Sequence, residues 1–506
     1  MVRAPIRSSR HIFLAVLLCL MGAAGVRAQV LATRNWEGSG VSVEPWWRRA
    51  VFYRIDPATF QDSDGDGKGD YAGLTQRLDY LQALGVDAVI LRAASGSLPI
   101  DGFDDLTRAA VGSHVRVLVE LGTPRSQADD DRYVAEARMW LNQGAAGLYV
   151  PTAELEKVDG ANHIGMLLHA LRTLTNGFPG GRVLLADGPA KAGEDDLAAA
   201  LARETQLTAS PAFGPPASGG LAAGLRAELV AAEGPAAPVP DAPSGGSSRR
   251  HRRVGVAAES NPLLIAARVD SAMDVAAKAR LERTLAVMLL ASRSAVVIEY
   301  GEELGLDAAG GREPLMQWTP ANVTAKAVAA EEAKKPAAAA PTYQSFDAYI
   351  PPLRKDYFPP PKMPVVTESD DAVPAVVDPA TLPGFTAGAL DASLLSPNGA
   401  TANVANEQAS SRSLWNLYRQ LIQLHHENAT VRNGGQTVLD FDAAGAVVWE
   451  RRAPASSRTS ANVVVVCNLS EKAVGLGDLG KGLRGLVGVV GGGMVAPGMV
   501  KLGSTR

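Results

Sequence analysis

Three linked segments decide the fold: Trp46-Trp47-Arg48-Arg49-Ala50-Val51-Phe52-Tyr53, Phe60-Gln61-Asp62-Ser63-Asp64-Gly65-Asp66-Gly67-Lys68-Gly69-Asp70, and Leu78-Asp79-Tyr80-Leu81-Gln82-Ala83-Leu84-Gly85-Val86-Asp87-Ala88-Val89-Ile90-Leu91. Val51–Ile55 is a short apolar run of strand length. Leu74–Leu84 has helical spacing, and Val86–Leu91 is a second continuous apolar run. A strand, a helix and a second buried strand make one βα unit of a parallel sheet, since parallel strands need a crossover of helix length between them.

The unit repeats along the chain. Further strands are expected at Val115–Leu121, Gly147–Val150, Val183–Ala186, Leu207–Ala209, Val254–Ala257 and Ala295–Ile298, with helices at Arg132–Asn142, Ile164–Leu174 and Lys278–Leu290 among the intervening segments. Eight strands alternating with helices over this length predict an α/β fold, a (β/α)8 TIM barrel. Residues 323–384 break the rhythm with Ala- and Pro-rich sequence and read as an irregular or disordered insertion. A helix is expected at Ser413–Asn428. Beyond Gln436 alternating apolar runs at Thr437–Phe441, Val447–Arg451 and Val463–Leu469 predict a C-terminal antiparallel β-sandwich. The organisation expected is a signal peptide (1–28), an N-terminal extension (29–45), the barrel (46–322), the insertion (323–384), a barrel-closing helical segment (385–435) and the β domain (436–506).

Arg3, Arg7 and Arg10 precede a short apolar run, Ile12–Gly25, and Val26-Arg27-Ala28 offers small residues for cleavage. Export to the periplasm or the exterior is expected, with no stable membrane span after cleavage. Cys19 leaves with that segment. Cys467 then has no intramolecular partner, and its apolar strand makes it an inert core thiol. The 506 residues carry 49 basic and 53 acidic side chains, a net charge of −4, so no nucleic-acid partner is expected. Only 5% of residues are aromatic and 7 are His, which disfavours both a His-rich metal centre and an aromatic sugar groove. The basic run Arg249-Arg250-His251-Arg252-Arg253 reads as a solvated loop.

The segments quoted first resemble the opening of the α-amylase superfamily, glycoside hydrolase family 13, and most closely its α-glucosidase, oligo-1,6-glucosidase and trehalose synthase branch. Tyr300-Gly301-Glu302-Glu303-Leu304-Gly305, Pro314-Leu315-Met316-Gln317-Trp318 and Asn403–Gln408 with Leu414–Ile422 carry the same resemblance. It implies a catalytic barrel, a C-terminal β domain, and retaining hydrolysis or transfer at α-glucosidic bonds in active members. Asp62, Asp64, Asp66, Lys68 and Asp70 alternate with small residues, as a hard cation with six to eight oxygen ligands requires. Lys68 would serve through its carbonyl, and the family's structural metal implies Ca²⁺ here.

Retaining glycosidases need two carboxylates about 5 Å apart. The resemblance places the nucleophile after the fourth strand, where Gly147-Leu148-Tyr149-Val150 leads into Pro151. The acid/base position after the fifth strand reads Asp187, one methylene shorter than Glu. The position of the stabilising carboxylate reads Ser260, and the positions of an Asn-His pair after the third strand read Pro124 and Arg125. The Gly-Tyr-Asp segment expected after the second strand is missing, and the domain usually inserted after the third is cut to a few residues. None of the seven His falls on a catalytic position. His425 and His426, adjacent on a helix, do not share a face for a metal. The sequence therefore reads as an exported α-amylase-family protein with impaired or absent catalysis. Its partner would be an oligosaccharide or a protein. The alternatives are a residual α-glucosidase using Asp187 with Glu259 or Glu154, and a non-catalytic partner-binding scaffold.

Overall fold

A computed structural model describes residues 45–92, 99–122, 130–156, 160–188, 195–209, 221–233, 262–265, 274–292, 294–309, 311–320, 384–386, 390–439, 445–453, 461–470, 472–475, 484–487, 494–495 and 500–504. The chain divides into two units, Met1–Arg48 and Arg49–Arg506. Of the first, Pro45–Arg48 is described and opens a 3-10 turn, Trp46–Arg49. The expected signal peptide and basic run lie outside the described residues, as does the insertion apart from Gly384.

The second unit contains a closed parallel barrel in the order β1 to β8, with β8 paired back to β1. The strands are β1 Val51–Ile55, β2 Ala88–Leu91, β3 Arg116–Glu120, β4 Gly147–Val150, β5 Val183–Asp187, β6 Leu207–Ala209, β7 Pro262–Ile265 and β8 Ala295–Glu299. The surrounding helices are α1 Leu78–Leu84, α2 Phe103–Gly112, α3 Asp130–Asn142, α4 Ala161–Asn176, α5 Asp195–Glu204, α6 Leu221–Glu233, α7 Val275–Leu290 and α8 Leu414–Glu427. The (β/α)8 expectation is met. One strand is corrected: the seventh is Pro262–Ile265, whereas Val254–Ala257 lies outside the described residues. Both runs are short and apolar, so periodicity could not choose between them, and the proline argued against the true strand. Pro262 is tolerated because it is the first residue of its strand.

The expected helix Leu74–Leu84 divides at Arg77 into Tyr71–Gln76 and α1. Arg77 leaves helical geometry, and its side chain reaches Gln61 Oε1 at 2.7 Å and stacks 4.1 Å over the Trp318 ring. Gly85 ends α1 with φ 96°, a left-handed cap open to glycine. α8 is capped by Ser413, whose side chain accepts from Asn416 N, and it packs against both α7 and α1. It is therefore the eighth barrel helix, reached across the long segment after β8.

Strand alternation sorts the barrel into two faces. Val51, Tyr53 and Ile55, like Leu184 and Ala186, join the hydrophobic layer beneath the helices. The alternate residues face the barrel axis. Gly147 is one of them, and a Cβ there would stand 2.5 Å from the Val183 carbonyl oxygen. Beyond the barrel, β9 Gly435–Val438, β10 Ala446–Arg452, β11 Val463–Asn468, β13 Arg484–Val487 and β15 Val500–Ser504 form an antiparallel sheet in the order β13-β15-β11-β10-β9. β12 Val474–Gly475 pairs with β14 Met494–Val495. The larger sheet rests on α6 and α7. Cys467, fully buried on β11, has its thiol pushed far up by burial, as an inert core residue should.

Candidate functional site

The C-terminal end of a (β/α)8 barrel is where strand ends and loops converge. Here the last inward positions of five strands carry Arg54, Glu120, Tyr149, Asp187 and Glu299. Arg54 on β1 donates from Nε to Glu120 Oε2 of β3 at 2.9 Å, and its NH2 lies 2.6 Å from the same oxygen. Its NH1 donates to Glu299 Oε1 of β8 at 3.1 Å. The guanidinium carbon stands 5.1 Å from the centroid of the Tyr149 ring on β4. Contacts that skip one and two strands in this way must cross the barrel interior. The Arg54 side chain is 14% exposed. The mouth of the barrel is occupied by its own ion network.

Tyr149 completes the chain of contacts. Its hydroxyl donates to Asp187 Oδ1 at 2.5 Å, and the Asp187 carbonyl accepts from Thr152 Oγ1 at 2.8 Å. Burial raises the Asp187 carboxyl above its ordinary range, and the Tyr149 bond and the Arg54 charge offset only part of that rise. Glu120 is raised in the same way, burial outweighing Arg54 and Arg92. Burial opposes the Arg54 charge, but Glu299 and Glu120 outweigh it and hold the guanidinium protonated. Beside this cluster Arg92, which follows β2, pairs with Glu313 from the segment after β8.

The residues singled out in the sequence are distributed unevenly. Pro151 follows β4, is buried and starts the short helix Thr152–Leu155, so the position where a nucleophile was sought has no reactive atom. Asp187 does end β5 at the mouth. Glu154 is exposed on the helix after Pro151 and acts on Asp187 as a like charge. Ser260, Glu259, Pro124 and Arg125 lie outside the described residues. In the sequence Ser260 stands two residues before β7, which starts at Pro262. The first carboxylate after β7 in the sequence is Asp270, in Arg268-Val269-Asp270, also outside the described residues. Arg54, Glu120 and Glu299 were missed. The available signal was a charge set into an apolar strand at the last inward position, as in Val117-Leu118-Val119-Glu120.

The acidic loop after β1 is built by backbone turns. Asp62 accepts from Asp64 N (3.1 Å), Gly65 N (2.8 Å) and Gly67 N (2.8 Å), while Asp64 and Asp66 each accept from the amide two residues on. Gly65 and Gly67 have φ of 84° and 89°, which reverses the chain at each step. Asp70 caps Tyr71–Gln76 through Gly73 N. Carboxylate oxygens of Asp62, Asp64 and Asp70 lie within 4.8 Å of one another. Asp66, also expected as a ligand, is exposed and is not one of these three, and Lys68, expected to serve through its carbonyl, has an exposed side chain.

The catalytic-domain model of the α-amylase family matches residues 54–102. Glucan 1,6-alpha-glucosidase of Streptococcus pneumoniae is 38% identical over 97 residues, 19% of this chain and 16% of that protein. Oligo-1,6-glucosidase IMA5 of Saccharomyces cerevisiae is 57% identical over 44 residues, 9% of this chain and 8% of that protein. The matched stretches span less than a quarter of the length of these curated relatives. The fold likeness runs much further. The alpha-glucosyl transfer enzyme XgtA superposes with a TM-score of 0.60 at 18% identity, covering 92% of this chain and all of that one. Trehalose-6-phosphate hydrolase of Bacillus licheniformis gives 0.58 at 14%, covering 91% and 100%. The chain's first βα segment is thus similar to the α-amylase catalytic domain, and its barrel shares the fold of these enzymes.

Proposed function

We propose that this is an exported α-amylase-family protein that no longer hydrolyses glycosidic bonds and serves as a non-catalytic carbohydrate- or partner-binding scaffold. One observation carries the reading. Asp187, the carboxylate at the acid/base position, is hydrogen-bonded by Tyr149 within a network centred on Arg54, while Pro151 stands where the nucleophile would be. A retaining mechanism needs a second carboxylate about 5 Å away that can reach the anomeric carbon. Glu120 and Glu299 are both engaged by Arg54. The apolar run Ile12–Gly25 behind three arginines supports export.

Calcium would bind the loop after β1. Three carboxylates within 4.8 Å of one another suit a hard dication, and oxygen donors alone fit Ca²⁺ better than a transition metal. Asp62, Asp64 and Asp70 would hold the ion, which would brace the loop and take no part in chemistry.

Residual α-glucosidase activity is the second reading. It is favoured by the raised pKa of Asp187, which suits a proton donor, and by Asp270 following β7. Turnover of an aryl α-glucoside and of maltose by the full chain, beside an Asp187→Ala variant, separates the two. The scaffold reading expects both proteins at the blank. Turnover above it that the variant abolishes would establish the enzyme instead.

A further inference from the structure

We infer that the mouth of this barrel is a cation cage filled by the chain's own Arg54: two carboxylates and a tyrosine ring hold its guanidinium where a sugar would have to enter, and the ligand that suits the cage is a guanidinium, not a pyranose. The inference rests on the scaffold reading above and narrows it, since it places any bound carbohydrate or partner away from the mouth.

All three guanidinium nitrogens of Arg54 are engaged. Nε and Nη2 both meet Glu120 Oε2 on β3, at 2.9 and 2.6 Å, and Nη1 donates to Glu299 Oε1 on β8 at 3.1 Å. The guanidinium carbon lies 5.1 Å from the Tyr149 ring centroid, within cation–π range. Tyr149 is itself fixed by its bond to Asp187. The Glu120 and Glu299 side chains are only 15% and 19% exposed, much as Arg54 is. Two residues earlier on these strands the inward positions are Phe52, Leu118, Gly147 and Val297, and the three that bear side chains are fully buried. The cage therefore has an apolar floor, and a ligand would enter it by taking the place of Arg54.

That exchange selects for charge. Bonds between ions are roughly twice as strong as neutral ones, and breaking a buried pair leaves an uncompensated charge behind. The hydroxyls of a pyranose are neutral and cannot supply the cation that Glu120 and Glu299 require. A guanidinium supplies it together with five donors in one plane and a face that stacks on a ring. An ammonium brings the charge without the fork.

Arg54→Ala in the full chain removes the atoms of ethylguanidinium, and that cation is the probe. Thermal unfolding is followed in rising millimolar ethylguanidinium chloride, against sodium chloride at the same ionic strength. The melting temperature of the variant should rise by several degrees and saturate, while the parent, whose cage is full, shows no rise. The double variant Arg54→Ala, Glu120→Gln should lose the response. Maltose should act on parent and Arg54→Ala alike. An ethylguanidinium response that parent and variant share, its absence from both, or a larger maltose shift in the variant would overturn the cage. Phenylglyoxal labelling of the parent, mapped by peptide mass spectrometry, needs no variant to fold. Arg54 should react on the order of 100-fold more slowly than Arg108, whose side chain is 71% exposed. Equal rates would contradict a filled cage. Hydrolysis of an aryl α-glucoside by the parent would instead refute the scaffold reading, and the ethylguanidinium and labelling results would still decide the cage.

Discussion

The first strand–helix–strand unit, residues 46–91, and the barrel's fourth and fifth strands share one architecture and differ in what they keep. Most of the first unit lies within residues 54–102, which match the α-amylase catalytic-domain model, and carboxylate oxygens of three of its aspartates lie within 4.8 Å of one another. Strands β4 and β5 keep the frame, with β4 and β5 paired in register from Gly147↔Val183 to Val150↔Ala186, yet end in Pro151 and in an Asp187 bonded to Tyr149. A barrel's frame depends on alternation and volume, which many apolar residues satisfy. Its chemistry depends on single atoms at strand ends. On the proposed reading the frame persists where the chemistry does not.

The contrast can be tested at the mouth first, where the expected effect is largest. Arg54→Met would leave Glu120 and Glu299 without their shared cation. Breaking a buried pair in this way costs about 3–5 kcal/mol, measured by denaturant unfolding at pH 7. The deficit should shrink as pH falls: Glu120 is already raised in the fold, and protonation removes its need for a partner. A loss that stays constant from pH 7 to 4 would show that Arg54 contributes packing and not charge.

Removing calcium addresses the first unit. At about 100 times the dissociation constant a bound ion adds ~2.7 kcal/mol, so chelation should lower the melting temperature by several degrees, and Asp62→Asn should remove most of the difference. A chelator with no effect would leave the loop held by its own amides. Tyr149→Phe is expected to cost about 1–3 kcal/mol by leaving a buried oxygen of Asp187 unpaired, and to raise the Asp187 pKa further. Pro151→Ala should be the mildest change, under about 1 kcal/mol, with no gain of hydrolysis, since alanine supplies no nucleophile either.

Much of this was legible in the sequence because long-period features leave strong traces. Strand and helix alternation marked β1 to β6 and β8, and the aspartate spacing marked the loop after β1. The seventh strand was misplaced because Val254–Ala257 and Pro262–Ile265 are equally apolar and equally short, and a strand-initial proline looks like a break. The Arg54 network was not foreseen because its ion pairs, across the barrel to Glu120 and to the neighbouring strand at Glu299, join residues 66 and 245 positions apart, which no local pattern records. His425 was dismissed as one of an adjacent pair. Adjacency argues against a shared metal, but it says nothing about the Leu290 and Arg49 carbonyls that His425 meets or the Asp87 carboxylate that His426 meets.

The central claim is that the barrel retains its frame without a nucleophile able to attack a sugar. Retaining glycosidases form a covalent glycosyl intermediate. Incubation of the calcium-loaded full chain with an activated fluoroglucosyl fluoride, followed by intact-protein mass spectrometry, reads that step directly. The unmodified mass is predicted at every time point. A single glucosyl adduct mapping to any carboxylate at the mouth of the barrel would contradict the account.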